Sequence, residues 1–246
     1  MRILALTVII CLQAGQALAG GSLGLGFFTG VSPYRDYDND VTPFPLIHYE
    51  NEYFYFRGLS LGLKAYEDHD TELSVFLAYN PHKFKASDSN HRRLKRLRNR
   101  DDSFMVGGRL SIDKPIGQLS AELAADVTGH NEGLLGQIRY GYPLEFDQLT
   151  VTPEVGFYWA SAKYNNYYYG VSRKEAARSG LPHYQADAAA SPFGALKADL
   201  ALGEEGRFGI FATSEIVFLP STIKNSPMVG RSNTYSFGTG VRYSFF

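Results

Sequence analysis

The densest charged segment of the sequence is a basic run at residues 91–100, HRRLKRLRNR, which two aspartates follow. Arginine binds phosphate through paired N–H donors, so the run predicts a site for a phosphate-bearing anion. The alternative is a solvated loop, or a short helix in which Arg98 and Arg100 pair with Asp101 and Asp102. The cationic residues of the run are Arg92, Arg93, Lys95, Arg96, Arg98 and Arg100.

A second group of charged side chains occupies alternate positions of predicted strands, so its members point to one face of a sheet. If that face encloses the lumen of a barrel, two interpretations are open. The charges either pair with one another and fill the lumen, or line a pore with a weak preference for cations. The members of this candidate lumen network are Lys64, Glu72, Arg109, Glu122, Asp126, Arg139, Glu154, Lys197, Asp199 and Glu215.

Residue types that carry catalysis or bind metals lack a recognisable spacing. The histidines are scattered, and neither an HExxH motif nor a GxSxG motif occurs. The single cysteine, Cys11, precedes the predicted cleavage site of a signal peptide. The sequence therefore predicts no enzymatic activity, no metal and no cofactor.

One long loop carries the signals of a short helix. Ser172 and Glu175 have the spacing of a capping box, in which each side chain accepts a hydrogen bond from the other's backbone N–H. Gly180 suits the position after the last helical residue, and Pro182 prevents continuation. We expect a helix near 173–179. The tyrosines at 164 and 167–169 either form a ligand-stacking surface or pack the loop into the mouth of a barrel.

The rest of the chain consists of segments of about ten residues in which apolar and polar side chains alternate. In 117–128, for example, Leu119 and Leu123 oppose Ser120 and Glu122. A soluble β-sandwich alternates in the same way, but strands of about ten residues tilted near 45° have the length that crosses a bilayer. The predicted strands are 22–31, 43–50, 52–57, 58–66, 71–82, 103–113, 117–128, 133–143, 148–161, 191–202, 206–219 and 234–246.

The fold that these strands predict is all-β: a transmembrane, antiparallel, up-and-down β-barrel of 12 strands. Ten strands is the alternative, because 43–50 and 52–57 are short for spanning strands. Connections alternate between short turns and long loops at 32–42, 83–102, 162–190 and 220–233, as outer-membrane barrels require. The basic run then lies in an outer loop, where lipopolysaccharide supplies the phosphates.

The two ends of the chain carry export signals. Residues 1–19 combine Arg2, a short apolar run and the small residues of Ala17-Leu18-Ala19, which predicts a signal peptide cleaved between Ala19 and Gly20. The barrel domain is then 20–246. Its last strand alternates aromatic and aliphatic residues with polar ones, the pattern that the barrel-assembly machinery of the Gram-negative outer membrane recognises.

Composition excludes two other classes. The chain has 24 Lys+Arg against 25 Asp+Glu, without the basic excess of a general nucleic-acid-binding protein. Its mean hydropathy is −0.20 and it lacks repeated apolar runs of about 20 residues, which excludes a polytopic helical membrane protein.

Several segments carry a family resemblance: SPYRDYDNDVTPFPLIHYE (32–50), LKRLRNRDDS (94–103), NNYYYGVSRKEAARSGLPHY (165–184), NSPMVGR (225–231) and GVRYSFF (240–246). From about residue 22 to the C-terminus the chain resembles the MipA/OmpV family of outer-membrane proteins. The resemblance implies an outer-membrane β-barrel, and a scaffold that brings a lytic murein transglycosylase together with a murein synthase. Other family members are described as porin-like or adhesive.

These observations leave three hypotheses. The first is a non-enzymatic scaffold for murein-remodelling enzymes, the second a small-solute channel, and the third an outer-surface binding or adhesion protein. The partners expected are outer-membrane lipids including lipopolysaccharide, the barrel-assembly machinery during biogenesis, and a murein hydrolase and synthase. No nucleic acid is expected.

Overall fold

The chain forms one sheet of antiparallel strands with short helices in its loops. A computed structural model describes residues 20–37, 39, 41–203 and 205–245, so the predicted signal peptide with Ala19 lies outside the described residues. No helix in the described ranges is long and apolar enough to cross a membrane. The strands are β1 (Gly20–Gly30), β2 (Thr42–Glu50), β3 (Phe54–Arg57), β4 (Ser60–Glu67), β5 (Thr71–Asn80), β6 (Ser103–Lys114), β7 (Gly117–Asp126), β8 (Leu134–Gly141), β9 (Leu144–Phe146), β10 (Leu149–Ala160), β11 (Ala189–Leu202), β12 (Phe208–Phe218) and β13 (Asn233–Phe245). The helices are α1 (Ala162–Tyr169), α2 (Arg173–Ser179), α3 (Ser221–Lys224) and the 3₁₀ turns Ala86–Asp88 and Leu94–Arg96.

The sheet closes into a barrel because β1 pairs with both β2 and β13. Each strand otherwise pairs with its neighbours in sequence, and every pairing is antiparallel. β8 and β9 both pair with β10 and are separated only by Tyr142 and Pro143, so they form one interrupted strand of the wall. The barrel therefore has 12 strands, which confirms the predicted architecture and rejects the alternative of ten.

The hairpin of β3 and β4 is too short to cover its neighbour. β3 pairs with β2 only from His48 to Glu50, and the N–H of Gly58 in the hairpin turn donates to the carbonyl oxygen of Ile47 at 3.1 Å. In the part of the chain that is described, no strand pairs with residues 42–46 on this side of β2. Residues 42–46, the first half of β2, therefore form an edge within a closed barrel.

Two prolines lie on this edge. Backbone groups point alternately to the two sides of a strand, so Pro43 and Pro45 direct their nitrogen atoms to the same side as Ile47, which is the uncovered side. Proline has no N–H, so the edge carries no unpaired donor at either position. Unpaired donors are costly in lipid, which gives these prolines a physical role in the wall.

The two faces of the wall differ as a membrane-spanning barrel requires. In β7, Leu119 and Leu123 are exposed on the outer face, whereas Ser120 and Glu122 point into the lumen beside Arg109 of β6. The same alternation runs through the other strands, and the outward residues include Tyr66, Tyr140, Trp159 and Tyr243 near strand ends. Apolar side chains thus cover the outside, and the inside holds the polar and charged side chains together with a few buried apolar ones such as Phe76 and Met105.

All the long connections emerge at one end of the barrel. They comprise residues 31–41, 81–102, 161–188 and 219–232, whereas the connections at the opposite end, which also holds Gly20 and Phe245, are short turns. Short turns face the periplasm in such barrels and long loops face outward. The long loops therefore form the outer face of the molecule.

Candidate functional site

The four long loops pack on one another across the mouth of the barrel, and we call their described residues the loop cap. Short antiparallel bridges join some of them, between Tyr34 and Val229 and between Tyr37 and Ser89. The cap has its own apolar core, whose buried members come from all four loops. These are Tyr34, Phe84, Leu94, Leu97, Tyr164, Tyr168, Tyr169, Val171, Leu181, Leu219, Ile223, Met228 and Val229.

Local signals build the two helices of the third loop. Ser161 accepts a hydrogen bond from the N–H of Tyr164 at the start of α1. Ser172 and Glu175 form the reciprocal capping box at the start of α2, and Gly180 ends that helix with a φ of 73°, a left-handed conformation that favours glycine. The tyrosines of α1 pack into the cap. This agrees with the interpretation in which they pack the loop into the mouth of the barrel.

His82 lies at the centre of the cap in a cage of tyrosines. Its Nδ1 is 2.9 Å from the hydroxyl of Tyr164, and its ring stacks on Tyr168 with 3.9 Å between ring centres. The hydroxyls of Tyr34 and Tyr169 lie 3.4 and 3.5 Å from Nε2. Burial lowers the pKa of His82 to about 3, so the imidazole is neutral at physiological pH.

Arg100 joins the basic run to α2. Its Nη2 lies 2.9 Å from Oε1 of Glu175, and its guanidinium also donates to the carbonyl oxygens of Tyr167 and Gly170. Burial raises the pKa of Glu175, but Arg100 and the donors of Ser172 outweigh it and hold that pKa below its usual value. Arg100 is thus buried and fully occupied, which corrects its assignment to the anion-binding run; it pairs with neither Asp101 nor Asp102.

The other cations of the run are exposed and lie beside exposed cations of α2. Nε of Arg178 donates to the carbonyl oxygen of Arg96 at 2.6 Å, so the two segments lie side by side. We call the exposed cations of the two segments the outer basic patch. Its members are Arg92, Arg93, Lys95, Arg96, Arg98, Arg173, Lys174 and Arg178.

Ion pairs join lumen-facing side chains of neighbouring strands below the cap. Arg139 contacts Glu154 and lies 3.1 Å from Glu215, and Lys197 lies 2.7 Å from the same Glu154. The hydroxyl of Tyr158 donates to Glu215 at 2.9 Å. These side chains come from four neighbouring strands of the wall, β8, β10, β11 and β12.

A second centre surrounds Tyr55. Arg109 lies 2.8 Å from Glu122 and donates to the Tyr55 hydroxyl at 3.1 Å. A Cβ at Gly62 would lie 2.1 Å from the Tyr55 ring, so only glycine lets that ring lie against β4. The sequence interpretation did not include Tyr55, although it alternates with Phe54 and Phe56 and this pattern points it inward.

Beside it lies a cluster of three carboxylates whose oxygens lie within 4.8 Å of one another, Glu50, Glu67 and Glu72. Arg57 lies 2.7 Å from both Glu50 and Glu72, and Lys64 lies 2.8 Å from Glu50 and from Glu67. Two cations pair with the three carboxylates, so the arrangement is an ion-pair network. The lumen network predicted from the sequence did not include Glu50, Glu67 or Arg57.

One member of the predicted lumen network has another role. Asp126 accepts hydrogen bonds from the backbone N–H groups of Thr128, Asn131 and Glu132 and so organises the loop after β7, which corrects its assignment to the ion-pair network. Asp199 lies on the same face of β11 as Lys197 and pairs at 2.5 Å with Arg242, a residue that the prediction left out.

The periplasmic face has the opposite charge to the outer face. Its exposed acidic side chains at or beside the turns are Glu52, Glu67, Asp68, Glu145, Asp147 and Glu205. The exposed cations there, Lys114 and Arg207, pair with Asp70 and Glu205. At two turn tips, Tyr53 and Ile116 are 67% and 76% exposed.

A closed barrel with an apolar outer face, short turns at one end and packed loops at the other defines an outer-membrane β-barrel protein. Within that class, the chain belongs to the family of MltA-interacting protein MipA, whose model matches residues 23–245. This confirms the family resemblance and places the protein in a Gram-negative outer membrane.

Relatives span nearly the whole chain. The chain is 38% identical to the MltA-interacting protein of Escherichia coli K12, over 100% of this chain and 99% of that protein. It is 32% identical to the outer membrane protein YiaT of the same organism, over 91% and 90%. Among solved structures it is similar to the translocator domain of the autotransporter NalP from Neisseria meningitidis, with 11% identity, a TM-score of 0.47, and coverage of 94% and 90%.

Proposed function

We propose that this barrel is a non-enzymatic outer-membrane protein that holds a murein-remodelling enzyme at its periplasmic face. The observation that carries the proposal is the 38% identity, over the full length, to a protein named for its interaction with MltA. The family resemblance implies that the partner is a lytic murein transglycosylase, which the barrel would bring together with a murein synthase.

The periplasmic face supports binding of a partner with a basic surface. Its exposed charges are predominantly acidic, and the side chains of Tyr53 and Ile116 protrude from it. Complementary charge steers such partners together, and exposed apolar side chains at the centre of a contact supply affinity. A specific interface buries about 800 Å² per partner, so the whole rim must take part because each turn is short.

Binding is tested with the mature barrel in detergent and the purified lytic transglycosylase of the same organism. We expect the double variant Glu52→Lys/Glu145→Lys to raise Kd about tenfold or more and to reduce its salt dependence. The matched control, Arg92→Glu/Arg93→Glu, changes the opposite face and should leave Kd within about twofold, because it lies beyond the screening length. Absence of binding, or equal effects of both variants, would refute the proposal.

The loop cap and the ion pairs of the lumen bear on the channel hypothesis. The loop cap spans the outer mouth, and the ion pairs of Arg139 and Arg109 lie beneath it. We expect no steady open current from the protein in planar bilayers. A steady, cation-selective current would assign the channel function instead.

A second candidate function rests on the outer basic patch. It brings Arg92, Arg93, Lys95, Arg96 and Arg98 beside the cations of α2, on the face where the membrane exposes lipopolysaccharide. Several guanidinium groups on one surface fit phosphate-bearing sugars. We propose that the patch binds lipopolysaccharide through its phosphates.

The test compares lipopolysaccharide-containing vesicles with phospholipid vesicles of equal charge. The variant Arg92→Gln/Arg93→Gln should weaken binding to the former and flatten its dependence on salt. The variant Lys224→Gln/Arg231→Gln is the matched control, because it removes exposed outer cations away from the patch. Unchanged affinity in the first variant would remove this function.

A further inference from the structure

A cavity of about 150 Å³ lies between the loop cap and the ion pairs of the lumen. Tyr164, Asn165 and Ile223 of the cap form part of its lining, and Arg109 and Glu215 lie on the side of the ion pairs. Between them the wall is mostly apolar, with contributions from several strands. These wall residues include Phe76, Ala78, Met105, Ala124, Leu135 and Val217.

Two polar atoms of this lining lack partners. Oδ1 of Asn165 and Oγ of Ser60 are buried and make no hydrogen bond to any described residue. Asn165 is 1% exposed and Ser60 is 7% exposed. The orientation of the Asn165 amide is set by its Nδ2, which donates to the carbonyl oxygens of Ala160 and Asp187, so the free atom is an acceptor.

Unpaired buried acceptors cost free energy unless a donor reaches them. Both unpaired atoms belong to residues that line the cavity. A donor placed in the cavity can satisfy Oδ1 of Asn165, and the Ser60 hydroxyl can either accept from an occupant or donate to it. The charged groups nearby already satisfy one another, because Arg109 pairs with Glu122 and Glu215 with Arg139. An occupant therefore needs a hydrogen-bond donor but no net charge.

The volume and the lining narrow the class of occupant further. Apolar cavities of about 150 Å³ hold a single aromatic ring system, and ligand sites are commonly apolar with a few directed polar groups. We propose that the cavity is a binding site for a small, neutral aromatic molecule that carries one N–H or O–H donor. This site is independent of any murein-related partner at the periplasmic face.

The test uses ¹⁹F NMR of 5-fluoroindole, with 5-fluoro-1-methylindole as a probe of similar shape that lacks the donor. Both are titrated into the mature barrel in detergent. We expect saturable binding of 5-fluoroindole and an affinity about five- to tenfold weaker for the methylated probe, because the latter leaves the Asn165 acceptor unpaired.

Substitutions that fill the cavity test whether the probe binds there. Ala124→Phe fills the cavity from β7 and should raise the Kd of 5-fluoroindole about tenfold or more, as should the smaller Ala78→Leu from β5. Ala125→Phe is the matched control, because Ala125 is the next residue of β7 and lies on the outer face. Heat-dependent migration on gels shows which variants form the barrel, and Ala78→Leu serves if Ala124→Phe does not fold.

Loss of binding in the filled variants, with retention in Ala125→Phe, supports the site. The proposal is overturned if 5-fluoroindole shows no saturable binding up to about 1 mM, an affinity of only about −4 kcal/mol. Equal affinity in the wild type and the filled variants overturns it as well, since the probe then occupies detergent or another surface. Equal affinity for the two probes, the outcome expected if water alone satisfies Asn165 and Ser60, also contradicts it.

Discussion

Nη2 of Arg100 and Oε1 of Glu175 lie 2.9 Å apart, with 1% and 5% of the two side chains exposed. This ion pair joins the loop after β5 to α2 in the loop after β10. It therefore positions the exposed arginines that flank it on one surface with those of α2. The outer basic patch depends on a buried cation that is not itself part of it.

Removing Arg100 should loosen the loop cap without opening the barrel. In Arg100→Met, Glu175 remains buried without its cation, and loss of one partner of a buried pair costs about 3–5 kcal/mol. We expect hydrogen exchange at residues 91–100 and 173–179 to accelerate, while the strands stay protected. Arg98→Met, which replaces an exposed neighbour, should leave exchange nearly unchanged. Equal exchange in the two variants would show that the pair does not hold the cap together.

The stability of the loop cap should decrease as the pH falls from about 6.5 towards 5. His82 has a pKa of about 3 in the folded cap and an ordinary value near 6.5 when unfolded, so only the unfolded form takes up a proton in this range. The loss is at most about 1.4 kcal/mol per pH unit. The four rings that enclose His82 are tyrosines and carry no compensating charge.

The measurement is hydrogen exchange of the loop cap at pH 7 and pH 5, corrected for the intrinsic rate. In His82→Gln this dependence on pH should largely disappear, whatever the absolute stability of the variant. Glu175, whose pKa is held low, contributes its own loss only below about pH 4.5, so the two effects separate. An unchanged pH dependence in His82→Gln would assign it to other groups.

The strands were predictable because lipid outside and polar groups inside impose a strict alternation. β7, for example, was expected at 117–128 and spans Gly117–Asp126. α2 was predictable for a different reason, since its caps are local: Ser172, Glu175 and Gly180 lie within one short segment. Where a structural cause lies within about ten residues, the sequence reveals it.

Features that depend on contacts between distant parts of the sequence could not be predicted. The segment of α1 is rich in tyrosine, a modest helix former, and its helix is stabilised by burying Tyr164 and Tyr168, four residues apart, in the loop cap. Arg98 and Arg100 look alike in the basic run. Only Glu175, 75 residues away, distinguishes the buried one from the exposed one.

Arg139 should be important for the stability of the barrel itself. In Arg139→Met, Glu215 keeps the Tyr158 hydroxyl but loses its cation, while Glu154 keeps Lys197. We expect a loss of about 3–5 kcal/mol, since one buried charge is left uncompensated. Urea unfolding in lipid vesicles, followed by the fluorescence of the single tryptophan Trp159, measures it.

The control for this experiment is Arg207→Met. Arg207 lies 2.7 Å from Glu205, but both side chains are more than half exposed, so the change should cost about 1 kcal/mol or less. Similar losses in the two variants would mean that the pairs of the lumen contribute no more than a surface ion pair.

The prolines of β2 should stabilise the wall by removing donors from its uncovered edge. In Pro43→Ala/Pro45→Ala, two N–H groups face the uncovered side of β2, and a buried unpaired donor costs about 1–3 kcal/mol. Replacing a proline also raises the conformational entropy of the unfolded chain, which lowers the free energy of unfolding by about 1 kcal/mol or less. Pro115→Ala, in the exposed turn after β6, measures that second effect alone. Urea unfolding should therefore show a larger loss for each proline of β2 than for Pro115. Equal losses would mean that other groups already pair with the N–H groups that the two substitutions introduce. The prolines of β2 would then act only by restricting the conformations of the unfolded chain.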